Sequence, residues 1–497
     1  MPQLRWLAAI VATLLTVHLH VDTTAQAQRP RRTELLIVVD GLRPDYVTRD
    51  VMPRLFQLGQ RGIVFTAHHS VFPTVTRVNA SSIVTGAYPE SHGLLGNTIY
   101  IPSVDATKGL DTGERENLEA VERAEGRLLT APTLGEILQA NGRRLAGVSS
   151  GSTGSAYLLN HTVSGGALFH TDYTRPPELA AKVLSVLGPP PAHATPNDPQ
   201  NQRAIDAYLK LCVDDLHPDV TILWLNDPDG TAHAMGIGAP LTRTSLTLVD
   251  AGIGRIEDGL RARGLLDSTN ILVTSDHGFS TETGELSLPK LVEPFAKTLG
   301  DGSKDIVVAE GAIYLRRPDQ PRVEAIVRML QQRPEVGAIF TKSGVPGTLP
   351  YEIARWKHPR SGDILVSANW NDKANAAGFK GMSTQDGVAG HGTSSPYDIH
   401  NTLMAAGPDF RERATSALPT ANVDLAPTLL RLLGIQPPAS MTGRVIDEGL
   451  RAGGSGPLRR VQRTETARST DGKYILTAHL SSVGDHRYLD YTDVQRR

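Results

Sequence analysis

Glu34–Val39 (ELLIVV), followed at once by Asp40-Gly41, is the stretch from which the architecture is read. A continuous apolar run too short for a helix, ended by a turn signal, predicts a strand buried on both faces, as in parallel sheets. Val220–Leu225 (VTILWL) and Asn270–Thr274 (NILVT) repeat the pattern, and Gly62–Phe65 and Arg144–Ser149 read as further strands. Helical stretches lie between them: Val51–Gln60, Pro132–Ala140 stopped by Asn141-Gly142, about 244–263, and Val423–Leu433 ending at Gly434. Strand–helix alternation of this kind predicts an α/β fold, a mostly parallel central sheet flanked by helices on both faces.

With 497 residues, 40% hydrophobic and 21% charged, the chain can bury a large core and is neither disordered, collagenous nor polytopic in a membrane. Fifty Lys+Arg against 52 Asp+Glu leave a formal net charge of −2, so no nucleic-acid-binding domain is expected. The single cysteine, Cys212, excludes a disulfide framework and any CxxC site, and reads as a small buried residue on a helix. Residues 1–27 read as a signal peptide: Arg5, the apolar run Trp6–Val17, then Ala25-Gln26-Ala27 as a small-x-small cleavage pattern. His18, His20 and Asp22 interrupt that run before the roughly 20 residues a spanning helix needs. A periplasmic or secreted protein without a stable membrane span is therefore expected, and one cysteine suits an oxidising compartment.

Within the main domain, residues 31–450, two stretches break the rhythm. Residues 98–130 are polar and read as a long surface excursion. Residues 281–390 hold their own strand–helix–strand unit (Ala312–Leu315, Val323–Gln331, Val336–Phe340) and suggest a small inserted cap. Gly453–Gly456 reads as a linker, and residues 457–497 as an extension whose Tyr474–Leu480 and Arg487–Tyr491 form a terminal hairpin.

In an open α/β sheet, ligands bind beyond the carboxyl ends of the strands. Asp40 ends ELLIVV, Asp229 follows VTILWLN closely, and Asp276 ends NILVTS. Each alone is as readily a turn or capping residue. Their neighbours change the reading: His233 lies four residues after Asp229, His277 directly follows Asp276, and His391 stands between Gly390 and Gly392. Carboxylate plus imidazole suits zinc, although such O/N donors accept other divalent ions, and three Asp with three His make two metal sites rather than one. Thr76, in Phe72–Asn79 (FPTVTRVN), falls at a helix N-terminus, where it is either an N-cap or, beside a metal, an ionised nucleophile. The Asn97 amide is placed to donate to a phosphoryl oxygen, its plainer reading being a turn residue. Ser149–Ser155 is a Gly/Ser loop without the Lys of a phosphate-cradling motif, and Tyr157 or His161 beside it are candidates to face substrate.

Taken in order, VVDGLRPD (38–45), FPTVT (72–76), VTGAYPESHGLLGN (84–97), DPDGTAH (227–233), SDHG (275–278) and GHG (390–392) resemble the alkaline phosphatase superfamily, in its nucleotide pyrophosphatase/phosphodiesterase branch. The resemblance implies two zinc ions per chain. One is held by Asp40, Thr76, Asp276 and His277, with Thr76 the nucleophile, and the other by Asp229, His233 and His391. It implies that Asn97 holds a non-bridging phosphoryl oxygen and that a phosphothreonine forms and is hydrolysed, with net retention at phosphorus. One departure stands out: where nucleotide-hydrolysing members carry an aromatic residue after the nucleophile, this chain has Arg77, followed by Val78-Asn79-Ala80. A guanidinium pairs with phosphate or carboxylate rather than a base, unless it turns to solvent or a local acid. The leading expectation is an exported two-metal phosphodiesterase or pyrophosphatase acting on a small-molecule phosphate ester. The alternative is a phosphomonoesterase or phosphonate (phosphonoacetate-type) hydrolase on the same scaffold, and a remote one is an inactive binding protein. A sulfatase is less expected, because that branch needs a modified Cys or Ser in a CxPxR-type motif, which Thr76 with Arg77 does not supply.

Overall fold

The computed structural model describes residues 32–454, 456 and 458–497, so the signal-peptide reading of residues 1–27 lies outside the described residues. Nine strands form the main sheet: β1 (Thr33–Val39), β2 (Ile63–Phe65), β3 (Leu145–Ser149), β4 (Ala167–His170), β5 (Thr174–Arg175), β6 (Val220–Leu225), β7 (Thr269–Thr274), β8 (Leu403–Ala406) and β9 (Ala414–Ser416). Their order in space is β9-β2-β8-β7-β1-β6-β3-β4-β5. The central five, β7 to β4, run parallel, while β8 enters antiparallel between β7 and β2.

The apolar runs are continuous because both faces of the sheet are covered. Leu36 and Val38 point into one core, while Leu35, Ile37 and Val39 point into another, as the two-residue period of a strand requires. The helix Thr76–Thr85 and the helix Leu425–Leu432 cover the first face through Ala80, Ile83, Leu425 and Leu429. Pro240–Ala262 covers the second through Leu246, Val249, Ile253, Ile256 and Leu260, with Leu55 and Leu58 of Pro53–Arg61 beside them. The fold is the mixed α/β, mostly parallel architecture that the alternation predicts.

The stretch read as a polar excursion is more ordered than its composition suggests. It holds a helix, Arg115–Glu125, whose Leu118 and Val121 are buried at a spacing of three, and a two-strand pair, Thr98–Ile99 with Leu110–Asp111. Within residues 281–390, five strands order as Ile306–Ala309, Ala312–Leu315, Ile364–Ala368, Val336–Thr341 and Leu349–Pro350, with the helix Gln320–Gln331. Their Ile313, Ile339 and Phe340 join the same apolar core as Leu36 of β1. At the C-terminus the chain forms three strands, Val461–Arg468, Tyr474–Val483 and His486–Arg496; the first is polar and exposed, which hid it from the hydrophobic pattern. Cys212 is buried and unpaired. Among the described residues no helix is long and apolar enough to cross a membrane.

Glu34, at the start of β1, is 1% exposed; Asn270 donates to its Oε1 at 3.2 Å, and its Oε2 has no partner. Burial pushes its carboxyl up to about 8, against the hydrogen bond from Asn270 and the charge of Arg32. In the unfolded chain it ionises near 4.5, so the proton it keeps on folding costs stability as pH climbs from 4.5 to about 8. Glu34→Gln, which imitates the protonated form, is expected to raise Tm at pH 8 and to leave it nearly unchanged at pH 4.5. A thermal melt at the two pH values checks this, and an equal effect at both would show that Glu34 is not held protonated.

Candidate metal centre

The register of β7, β1 and β6 sets Val38 opposite both Thr274 and Trp224, so the chain leaves all three strands at one level. Asp40, Asp276 and the turn leading to Asp229 therefore open onto one spot. Gly41, at φ +70°, makes the turn after Asp40; a β-carbon there would lie 3.0 Å from the Phe279 ring and 3.1 Å from the Asp229 side chain. Its N–H donates to Asp276 Oδ1 at 3.2 Å, and Trp224 Nε1 donates to Asp40 Oδ2 at 2.9 Å.

All seven predicted ligand residues converge. His277 Nε2 lies 3.1 Å from Asp276 Oδ2, 3.5 Å from Asp40 Oδ1 and 3.3 Å from Thr76 Oγ1. Asp229 Oδ1 lies 3.3 Å from His233 Nε2, 3.5 Å from His391 Nε2 and 4.0 Å from His277 Nε2. Two donor groups result, Asp40–Asp229–His277 and Asp229–His233–His391, with Asp229 common to both. The His277 and His391 rings stack at 3.4 Å between centroids.

The donor set fits a divalent cation. One oxygen each of Asp40, Asp229 and Asp276 is buried without a hydrogen-bond partner. The Nδ1 atoms of His277, His233 and His391 face the carbonyls of Gly278, Ala389 and Thr74 at 2.9, 2.8 and 2.8 Å. A carbonyl only accepts, so Nδ1 carries a proton and Nε2 faces inward, the arrangement that orients imidazoles toward a metal. Unprotonated, these nitrogens and the carboxylate oxygens face one another with lone pairs, an arrangement that a cation or added protons relieve.

The titration behaviour expresses the same strain. Burial, with the charges of Asp276 and Asp229, pushes Asp40 well above the usual carboxylate range. Burial works against the charge of Asp229 as well, but His233, His391 and His277 outweigh it and hold Asp229 below that range. His233 is lifted to about 9 because the Asp229 carboxylate overrides its burial, and Asp276 likewise lifts buried His277. His391, buried beside His277, is pushed well down.

Thr76 is the first residue of the helix Thr76–Thr85; Val75 occupies the N-cap position and makes no side-chain cap bond. The N-cap reading of Thr76 thus gives way to a hydroxyl turned to the ligand cluster. Thr74 fixes the loop before it, donating from Oγ1 to the Thr393 carbonyl (2.7 Å) and accepting from Gly392 N–H (3.0 Å). Asn97 Oδ1 accepts from Arg77 N–H at 3.1 Å, leaving its amide N–H groups to donate elsewhere. The Arg77 side chain is 17% exposed, 3.9 Å from Asp111, and its Nε is buried without a partner.

Sequence reasoning missed two contributors. Trp224 was legible only as a strand residue. Glu310, on the turn between Ile306–Ala309 and Ala312–Leu315, accepts Asn97 N–H at 2.6 Å and Thr98 N–H at 3.4 Å, a contact no local motif announces. Two expected substrate-facing residues are otherwise engaged: Tyr157 is 2% exposed and donates to Glu122 at 3.0 Å, and His161 is buried next to its ring. The Ser149–Ser155 loop turns its hydroxyls inward, Ser150 donating to Asn201 (2.6 Å) and Ser152 capping Thr153–Leu159.

A mostly parallel sheet with oxygen and nitrogen donors gathered at its carboxyl edge defines an alkaline-phosphatase-like α/β protein. The sequence profile of the family described as "Type I phosphodiesterase / nucleotide pyrophosphatase" matches residues 35–392, and the chain belongs to that family. It is 28% identical over 292 residues to ectonucleotide pyrophosphatase/phosphodiesterase family member 1 of Homo sapiens, covering 58% of this chain and 27% of that protein. It is 26% identical to bis(5'-adenosyl)-triphosphatase enpp4 of Mus musculus (81% and 78% covered) and 24% identical to family member 7 of Rattus norvegicus (91% and 95%). The chain thus spans about a quarter of the human relative and most of the other two.

Zinc added to metal-stripped protein is expected to raise Tm, since a ligand at about a thousand times its Kd adds about 4 kcal/mol to the state that binds it. Asp229→Ala, which removes the donor common to both groups, is expected to abolish most of that rise. Elemental analysis showing undiminished metal in the variant would refute the cation site.

Proposed function

We propose that this protein is an exported two-zinc phosphodiester hydrolase, of nucleotide pyrophosphatase/phosphodiesterase type, that works through a phosphothreonine at Thr76. The observation that carries the reading is the Thr76 hydroxyl, 3.3 Å from His277 Nε2, beside three buried carboxylate oxygens that lack partners. Asp40, Thr76, Asp276 and His277 would hold one zinc, and Asp229, His233 and His391 the other. Bound there, the ions favour ionisation of the threonine hydroxyl and of a water, and offset charge on the departing oxygen.

The residues then divide the work. Thr76 Oγ1 attacks phosphorus in line, its bond to phosphorus forming as the ester bond to the leaving group breaks; the leaving group departs as an alcohol or phosphate. Water attacks the phosphothreonine from the opposite side and restores the hydroxyl. Two inversions give net retention. The Asn97 side-chain amide, its Oδ1 accepting from Arg77 N–H while the Asn97 backbone N–H donates to Glu310, donates to a non-bridging oxygen whose charge grows along the reaction. Glu310 belongs to residues 281–390, which supports reading that segment as a cap that shapes the substrate pocket.

Arg77 supports a second reading. Its guanidinium has Asp111 at 3.9 Å and the charge of Glu310 nearby without a close ion pair among the described residues, so a second anion on the substrate suits it, as in a phosphomonoester or a phosphonate bearing a carboxylate. Relatives named for dinucleoside triphosphate or nucleotide substrates favour the diester.

Thr76→Ala is expected to abolish turnover while zinc content and Tm are kept; retained turnover would remove Thr76 as nucleophile. Arg77→Ala is expected to cost dianionic substrates more than monoanionic diesters, by roughly 1.5–3 kcal/mol for a buried charge-assisted bond. Comparing kcat/KM for bis-p-nitrophenyl phosphate and p-nitrophenyl phosphate on the zinc-loaded protein reads this directly. Equal losses on both would take Arg77 out of recognition.

A further inference from the structure

A cleft of about 540 Å³ opens at the other end of the main sheet, between Thr269 at the start of β7 and Ala406-Gly407 at the end of β8. The six residues of β7, at roughly 3.3 Å each, separate it from the metal centre by about 20 Å. Five arginines line it, Arg61, Arg261, Arg411, Arg413 and Arg451, against two carboxylates, Asp267 and Glu412. They come from separate parts of the chain: the ends of Pro53–Arg61 and Pro240–Ala262, the β8–β9 connection, and the turn after Leu450.

Three of these guanidiniums are already answered, Arg61 by Glu257, Arg261 by Asp258 and Arg451 by Glu412. The other two are not. Arg411 donates from Nε to the Leu450 carbonyl, at 3.3 Å, and among the described residues neither it nor Arg413 has an ion-pair partner. The loop that carries them is fixed. Phe410, 1% exposed, anchors it and bridges to Leu450; Arg411 N–H donates to Gly449 (2.9 Å), and Arg413 N–H to Arg61 (3.3 Å). Arg413 is held at φ +49°, a left-handed conformation that a side chain resists and that folds keep where function needs it.

We propose that this cleft is a second anion site, which takes a ligand carrying clustered phosphate groups. Two planar forks, neither ion-paired among the described residues and both on a backbone held by hydrogen bonds, match phosphate oxygens in bidentate fashion, while Glu412 is taken up by Arg451. A soluble pyrophosphate-type ion and a phospholipid headgroup offer the same chemistry.

The test uses the zinc-loaded full protein and an Arg411→Ala/Arg413→Gly variant, in which glycine relieves the left-handed backbone so that folding is not put at risk. Methylenediphosphonate, a non-hydrolysable pyrophosphate analogue, is titrated calorimetrically into each. Sedimentation with phosphatidylcholine vesicles, with and without phosphatidylglycerol, is run in parallel. Binding at least about tenfold weaker in the variant, with kcat/KM for bis-p-nitrophenyl phosphate within about twofold of the parent, is the expected result. Loss in the titration assigns the soluble ion, and loss only on anionic vesicles assigns the headgroup. Identical binding by parent and variant in both assays overturns the proposal.

Discussion

Like charges held together against their repulsion are what the rest of this structure is organised around. Asp40, Asp229 and Asp276 are drawn to one point by three adjacent parallel strands whose register leaves no choice of level. Buried carboxylates at such distances are tolerable only if a positive charge joins them or protons stay on some of them. The three imidazoles, each with its outer nitrogen tied to a backbone carbonyl, turn their inner nitrogens toward these oxygens. The sheet therefore holds a binding site in a strained form, and the stiffness of two apolar cores is what sustains the strain.

That arrangement explains the neighbours of the site as well as its members. Trp224 is large and wholly buried, yet its indole N–H lies within reach of a carboxylate oxygen. Thr74 ties the loop before Thr76 to the His391 loop, so Thr76 and His391 are positioned by one set of hydrogen bonds although over three hundred residues separate them. Asn97 is held from two segments, its Oδ1 by Arg77 N–H and its own N–H by Glu310.

Much of this was legible in the sequence because the relevant signals are local. Unbroken apolar runs marked the central strands, and an acidic residue just past three of them marked the site before any distance was known. The rest depended on what lies across space. The helix Arg115–Glu125 is charged over most of its surface, and two buried side chains are too few to raise a periodic signal. The strand Val461–Arg468 shows neither face to a core, so no alternation betrays it. Glu310 matters because a turn from another sheet happens to reach Asn97, and Tyr157, beside a suggestive loop, packs inward against Glu122.

The place of β8 in the main sheet has a temporal meaning. Leu403–Ala406 lies between β7 and β2, pairing with both, so Ile63–Phe65 has no neighbour on its β7 side until the chain has been made past residue 406. His391 also joins late. A growing chain made from the N-terminus can lay down β1, β3, β6 and β7 in turn, but the sheet closes and the donor cluster fills only once residues 391–406 have been made. Such wiring leaves the donor cluster incomplete until most of the sheet is already in place.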